Sequence, residues 1–171
     1  MSSNASPERL LAIYLNDHLA GATLGVALAR RLRSSNRDDD ALGEPLAEIC
    51  SEIEADRVTL ERVMELLEIR RGFVKPAAAW VGEKAGRLKL NGQLSGYSPL
   101  SRLVELELLH IGITGKMRMW KALQHSLGER AGEFDFGQLA ERAARQRGRV
   151  EDLHLDAAAR ALPSAASRSF G

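Results

Sequence analysis

Residues 72–97 read GFVKPAAAWVGEKAGRLKLNGQLSGY, and helical periodicity runs for long stretches on either side of them. Helices that neighbour one another in a bundle are joined by about two to eight residues, so this stretch is no simple turn. At ~3.3 Å per residue it reaches ~85 Å when extended. A helix of ~27 residues is only ~40 Å long. The connection can therefore travel the full length of a bundle. Its middle, PAAAWVGEKAGRLKL, has room for a short helix, and NGQLSGYSP reads as loop. Two helical hairpins joined by one long crossover is the architecture this predicts.

Four long helices flank the crossover, two on each side. The first opens at Ser6-Pro7-Glu8: an N-cap serine, a proline where the missing N–H does no harm, and an acid in the first turn. It runs to about Arg33, where SSNRDDD breaks the pattern. The second begins between Asp40 and Pro45 and is expected to reach Arg70-Arg71-Gly72, basic residues followed by a stop glycine. The third opens at Ser98-Pro99 and ends near Leu127-Gly128. The fourth opens at Asp135, with Gln138 completing a capping-box variant, and ends near Leu162-Pro163. The hairpin links are short enough to favour antiparallel neighbours. The whole chain, 1–171, reads as one domain with its core in residues 7–162, a crossover over 72–97 and a frayed tail at 163–171.

Composition agrees with a helical protein. Hydrophobic residues make up 44% and charged residues 27%, and Leu, Ala, Arg and Glu dominate. Such straight-chain residues lose little rotamer freedom in a helix. A net charge of +1 points away from general nucleic-acid binding. Cys50 is the only cysteine, which excludes an intrachain disulfide and a thiolate metal cluster; beside Ile49 it reads as a buried, inert thiol. The N-terminal segment lacks a basic n-region, so no signal peptide is expected. No apolar run of the ~18 residues needed to cross a bilayer is read, so the expectation is a cytoplasmic protein without a membrane partner.

Heptad stripes support the bundle. The first helix carries Leu11, Leu15, His18, Ala22, Gly25, Ala29 and Leu32 at alternating steps of four and three. The second carries Leu42, Leu46, Ile49, Ile53, Asp56, Leu60, Val63 and Leu67. Each stripe has one ionisable residue near its middle, which costs stability unless it is paired or bound. Gly21 and Gly25, with alanines around them, suggest close backbone approach to a neighbour, although ordinary small-residue packing suffices to account for them. The third helix is apolar on more than one face, with Leu106, Leu109, Ile113, Met117 and Trp120 on one stripe and Leu103, Val104, Leu108, Ile111 and Met119 on others. A helix of that kind is buried against more than one neighbour, the crossover or a second subunit. A homodimer is the favoured reading.

Two Glu-x-x-His motifs stand out: ELLH at 107–110 and EDLH at 151–154. Residues three apart project from one helix face. His110 and His154 lie 17 and 18 residues from the ends of their hairpin, so both are ~26 Å from the turn and level with each other. His18 and Asp56 fall near the same layer by the same arithmetic. Imidazole and carboxylate together suit iron, manganese or zinc. The candidate ligands are Glu107, His110, Glu151 and His154, followed by Asp56, Glu52, His18 and Asp17. The competing reading is a metal-free network in which His18, Asp56 and Arg57 fix helix register.

Four long helices, a crossover between the second and third, and paired Glu-x-x-His motifs resemble the ferritin-like superfamily. That resemblance, which covers residues 7–162, implies a ferritin-like four-helix bundle with iron or manganese in its core, handling oxygen chemistry as a di-metal oxidoreductase. The superfamily usually carries its paired motifs on the second and fourth helices; here they lie on the third and fourth. Two functions follow as expectations: a carboxylate–histidine metal bundle, or a metal-free interaction or regulatory bundle whose contact surface is the third helix. The lysines of the crossover, without a phosphate-loop pattern or a preceding strand, read as a connector with Lys84, Arg87 and Lys89 facing solvent.

Overall fold

A computed structural model of the chain describes residues 5–72, 97–128 and 132–163. They form α1 (Pro7–Ser35), α2 (Gly43–Leu66), α3 (Pro99–Leu127) and α4 (Phe136–Ala161), with no strand among the described residues. Three N-termini are built as the sequence predicts. Ser6 Oγ accepts the Arg9 N–H at 3.3 Å, Ser98 Oγ the Ser101 N–H at 3.1 Å, and an Asp135 carboxylate oxygen the Gln138 N–H at 2.9 Å. Each cap satisfies a backbone donor that the helix leaves unpaired and is worth about 1 kcal/mol.

The second helix starts within the expected range and departs from expectation at its end. It starts at Gly43, between Asp40 and Pro45, and stops at Leu66, short of Arg70. Glu68 enters the left-handed region at φ 55. Ile69 N–H then reaches back to the Met64 carbonyl at 2.8 Å, and Glu68 N–H to the Glu65 carbonyl at 3.0 Å. That pair of bonds closes a helix C-terminus, usually with an apolar contact beyond it. Ile69 supplies the apolar residue, packed against the core. Gly72 is therefore not the stop; its N–H donates to Asn16 Oδ1 at 2.6 Å.

Helix α1 packs on α2 and α3, and α4 packs on α3 and α2, which leaves α2 and α3 on a diagonal. Cross-links give the directions. Arg31 near the end of α1 pairs with Glu105 near the start of α3 at 2.7 Å. Asn16 near the start of α1 holds the residues just past α2. Arg62 late in α2 pairs with Glu133 just before α4, and Arg160 at the end of α4 with Asp39 just before α2. Neighbouring helices are thus antiparallel and α2 and α3 are parallel. The end of α2 and the start of α3 lie at opposite ends of the bundle, and both are fastened to α1: Gly72 to Asn16, and Tyr97 to Asn36 at 3.1 Å. The intervening stretch of α1 is ~30 Å long, and residues 73–96 join points that far apart. The short helix read in that stretch, with Lys84, Arg87 and Lys89, lies outside the described residues, as does 164–171.

The core follows the heptad stripes. Leu42, Leu46, Ile49, Cys50, Ile53, Leu60 and Val63 are buried on the α2 side, and Leu15, Ala29 and Leu32 on α1. From α3 come Leu103, Leu106, Leu109, Ile113, Met117, Met119 and Trp120. Each fully buried aliphatic or aromatic side chain contributes ~1.5–3 kcal/mol. Trp120 stacks on Phe136 at 5.9 Å, closing the core beside the α3–α4 turn. Two features of α1 bear on the sequence reading. Among the described residues a Cβ at Gly21 or Gly25 would meet nothing within 4 Å, which is the ordinary packing rather than a close backbone approach. The helix is also long and apolar enough to cross a membrane by length and composition, with mean hydropathy 1.2 over its best window. Among the described residues 17% of that window is buried, and α1 packs on α2 and α3.

Candidate functional site

Asp56 sits on the apolar stripe of α2, so its carboxylate is delivered into the core, where it is 2% exposed. The partners come from the other hairpin. Lys116 of α3 donates to Oδ2, Arg142 of α4 donates to Oδ1, and Gln146 Nε2 of α4 donates to Oδ2 at 3.1 Å. Lys116 also donates to Gln146 Oε1, and Gln146 is fully buried. Burial pulls the Lys116 amine below the ordinary lysine range; Asp56 offsets this in part, and Arg142 adds to it. Helix α4 extends the network outward, with Arg149 bridging Glu52 at 2.6 Å and Glu48 at 3.2 Å.

This arrangement corrects the expected middle layer. Lys116 is six residues beyond His110 on α3, and Gln146 is eight before His154 on α4. Asp56 thus meets the other hairpin ~9–12 Å along the axis from the two histidines. Glu52 is engaged by Arg149, and Asp17 is exposed. His18 rests edge-on against the Tyr14 ring at 4.6 Å, and burial lowers its pKa while Asp17 opposes the shift. Arg57 pairs with Glu61 at 3.4 Å rather than with Asp56. The polar core exists, but with partners drawn from α3 and α4 in place of His18 and Arg57.

The two motifs do find each other. Across the α3–α4 seam, His154 Nε2 lies 3.2 Å from Glu107 Oε1, and His110 Nε2 lies 3.9 Å from Glu151 Oε2. Each helix contributes one glutamate and one histidine, and antiparallel packing matches the glutamate of one to the histidine of the other. The glutamates are half exposed or more, while the histidines are two-thirds covered or more. Among the described residues the Nε2 atom of His110 is shielded from solvent and has no hydrogen-bond partner. As the side chains stand they form two pairs: among the described residues, no three His, Cys, Asp or Glu side chains converge as a ligand set.

A second buried charge escaped sequence reasoning. Glu105 is 1% exposed, paired with Arg31 at 2.7 Å, and accepts the Tyr97 hydroxyl at 3.1 Å. Tyr97 accepts in turn from Asn36 Nδ2. Burial pushes the Glu105 carboxyl up against the opposing pull of Arg31 and Tyr97, and it pushes the Tyr97 hydroxyl to about 12. The cluster fastens the start of α3 to the end of α1. Its only sequence signal was an ionisable residue inside a run of apolar ones.

The residues at mid-bundle do not fit a core metal. Both oxygens of Asp56 are engaged by an ammonium, a guanidinium and an amide, and a metal ion bound there would be set against two fixed positive charges. The fixed ammonium and guanidinium supply the charge that an ion would bring. Two open hollows, ~370 Å³ beside Glu48 and Arg149 and ~540 Å³ among Arg30, Arg33 and Arg37, are lined by neither Asp56 nor the seam residues. Compared with protein-family models, curated proteins and solved structures, the chain matches none.

Proposed function

We propose that the chain is a ferritin-like bundle whose core is closed by protein ions, and that it acts in the cytoplasm as an interaction protein that pairs with a second copy through the outer face of α3 and α4. The observation that carries this reading is the engagement of both Asp56 oxygens by Lys116, Arg142 and Gln146. A polar core satisfied in this way specifies register and helix pairing. The antiparallel neighbours, with parallel α2 and α3 joined over ~30 Å, are the connectivity that the resemblance implies. The surface supplies the contact: Ile111 and Leu155 are 65% and 60% exposed, each one residue beyond a seam histidine.

Iron or manganese loading of the wild type and of Asp56→Asn, followed by elemental analysis, tests the closed core. Equal metal content in the two is expected, and content that depends on Asp56 overturns the reading. Sedimentation of the wild type and of Ile111→Glu tests the pairing. A dimer that Ile111→Glu splits without loss of helicity is expected; a wild type that stays monomeric at high concentration sinks the idea.

A further inference from the structure

We propose that the α3–α4 seam binds one divalent transition-metal ion between Glu107, His110, Glu151 and His154, at the surface and separate from the core network. Both helices present a carboxylate and an imidazole three residues apart, and the crosswise pairing brings all four within about one helical turn. Two imidazole nitrogens and two carboxylate oxygens form a donor set that suits zinc and its neighbours in the first transition row.

The geometry carries the inference in two ways. Glu107 Oε1 and His154 Nε2 are 3.2 Å apart. Two donors on one tetrahedral zinc, at bonds of ~2.0–2.1 Å, are separated by ~3.3 Å. The second pair is more open, at 3.9 Å, and there, among the described residues, the His110 Nε2 atom is both shielded from solvent and without a hydrogen-bond partner. A buried polar nitrogen left unpaired is costly, and an ion between His110 and Glu151 supplies its partner. The more exposed glutamates have freedom to rotate, so an ion draws two pairs into one set while the helices stay in place. Lys116 and Arg142, which hold Asp56, belong to the core network, and among the described residues no lysine or arginine pairs with Glu107 or Glu151.

Titration of the full chain with zinc, by calorimetry and by the visible spectrum of the cobalt-substituted protein, tests the site. One ion per chain, a tetrahedral cobalt spectrum and a raised Tm are expected. Loss of outer-shell support alone costs about 10–100-fold in metal affinity. His110→Ala with His154→Ala removes direct donors and is expected to exceed ~100-fold, while Asp56→Asn leaves affinity unchanged. Should the double alanine variant lose its helicity, Glu107→Gln with Glu151→Gln makes the same test. No binding at millimolar zinc, binding indifferent to the donor variants, or binding that depends on Asp56 overturns the proposal. The site does not rest on the pairing of two copies: its failure appears in zinc affinity, whereas failure of that reading appears in sedimentation.

Discussion

Lys116 of α3 and Asp56 of α2 are joined by an ion pair across the diagonal of the bundle, between helices that are not packing neighbours. Arg142 and Gln146 complete the contact from α4, so one carboxylate ties three helices together. Desolvating such charges is expensive, and the network holds because every strong acceptor on Asp56 has a donor.

The network's worth lies in its completeness, and this predicts strong non-additivity. Asp56→Ala leaves the buried Lys116 ammonium without its counter-charge and is expected to cost about 3–5 kcal/mol. Replacing the buried members together, Asp56→Leu with Lys116→Met and Gln146→Leu, removes the charge and its buried partners at once and leaves Arg142, a third exposed, to turn to solvent. That variant is expected to lose less stability than Asp56→Ala alone. Urea unfolding of the series measures it, and a triple variant as weak as the sum of its parts would contradict the coupling.

Glu105 predicts a pH dependence with a definite sign. Burial raises its carboxyl above the ordinary value of 4.5, so the folded protein takes up a proton more readily than the unfolded chain. The stability this contributes is complete below 4.5 and is lost as pH rises through the raised folded value. Relative to Glu105→Gln, the wild type should therefore weaken as pH climbs above the ordinary carboxyl range. Denaturation midpoints of the two proteins across that range check the slope. Tyr97→Phe, which removes a donor to the buried carboxylate, is expected to cost about 1–3 kcal/mol and to raise the Glu105 pKa further.

Asn16 predicts a local rather than global effect. Its side chain donates to the Ala12 and Arg70 carbonyls and accepts from Gly72, which fastens the segment after α2 to α1. Asn16→Ala should cost about 1–2 kcal/mol and speed hydrogen exchange at the Gly72 amide. Exchange at Ile53 and Leu60, deep in α2, is expected to change only by the global loss of stability. Equal acceleration at Gly72 and at those core amides would place Asn16 in the cooperative core instead.

Much of the architecture was legible in the chain because helical signals are local. Leu42, Leu46, Ile49, Ile53, Leu60 and Val63 repeat at the spacing that fills one helix face, and Ser6, Ser98 and Asp135 cap through atoms three residues away. Asp56 was recognisable for the same reason, as the one acid on that stripe. The end of α2 was less legible: the basic pair and Gly72 form a local stop signal, yet burial of Ile69 turns the chain earlier.

The partners of Asp56, and the surroundings of the two Glu-x-x-His motifs, were decided by the tertiary structure. Distance from a hairpin turn placed Glu107, His110, Glu151 and His154 level along the seam, and their crosswise pairing follows from antiparallel packing. The same arithmetic could not relate one hairpin to the other, because their relative offset depends on how four helices tilt and pack together. Asp56 accordingly meets Lys116, sixty positions away, rather than His18. A lysine on a long flexible stem can serve solvent or core from the same helical position. Only packing of the hairpins decides which, since it alone sets whether a buried carboxylate lies within reach.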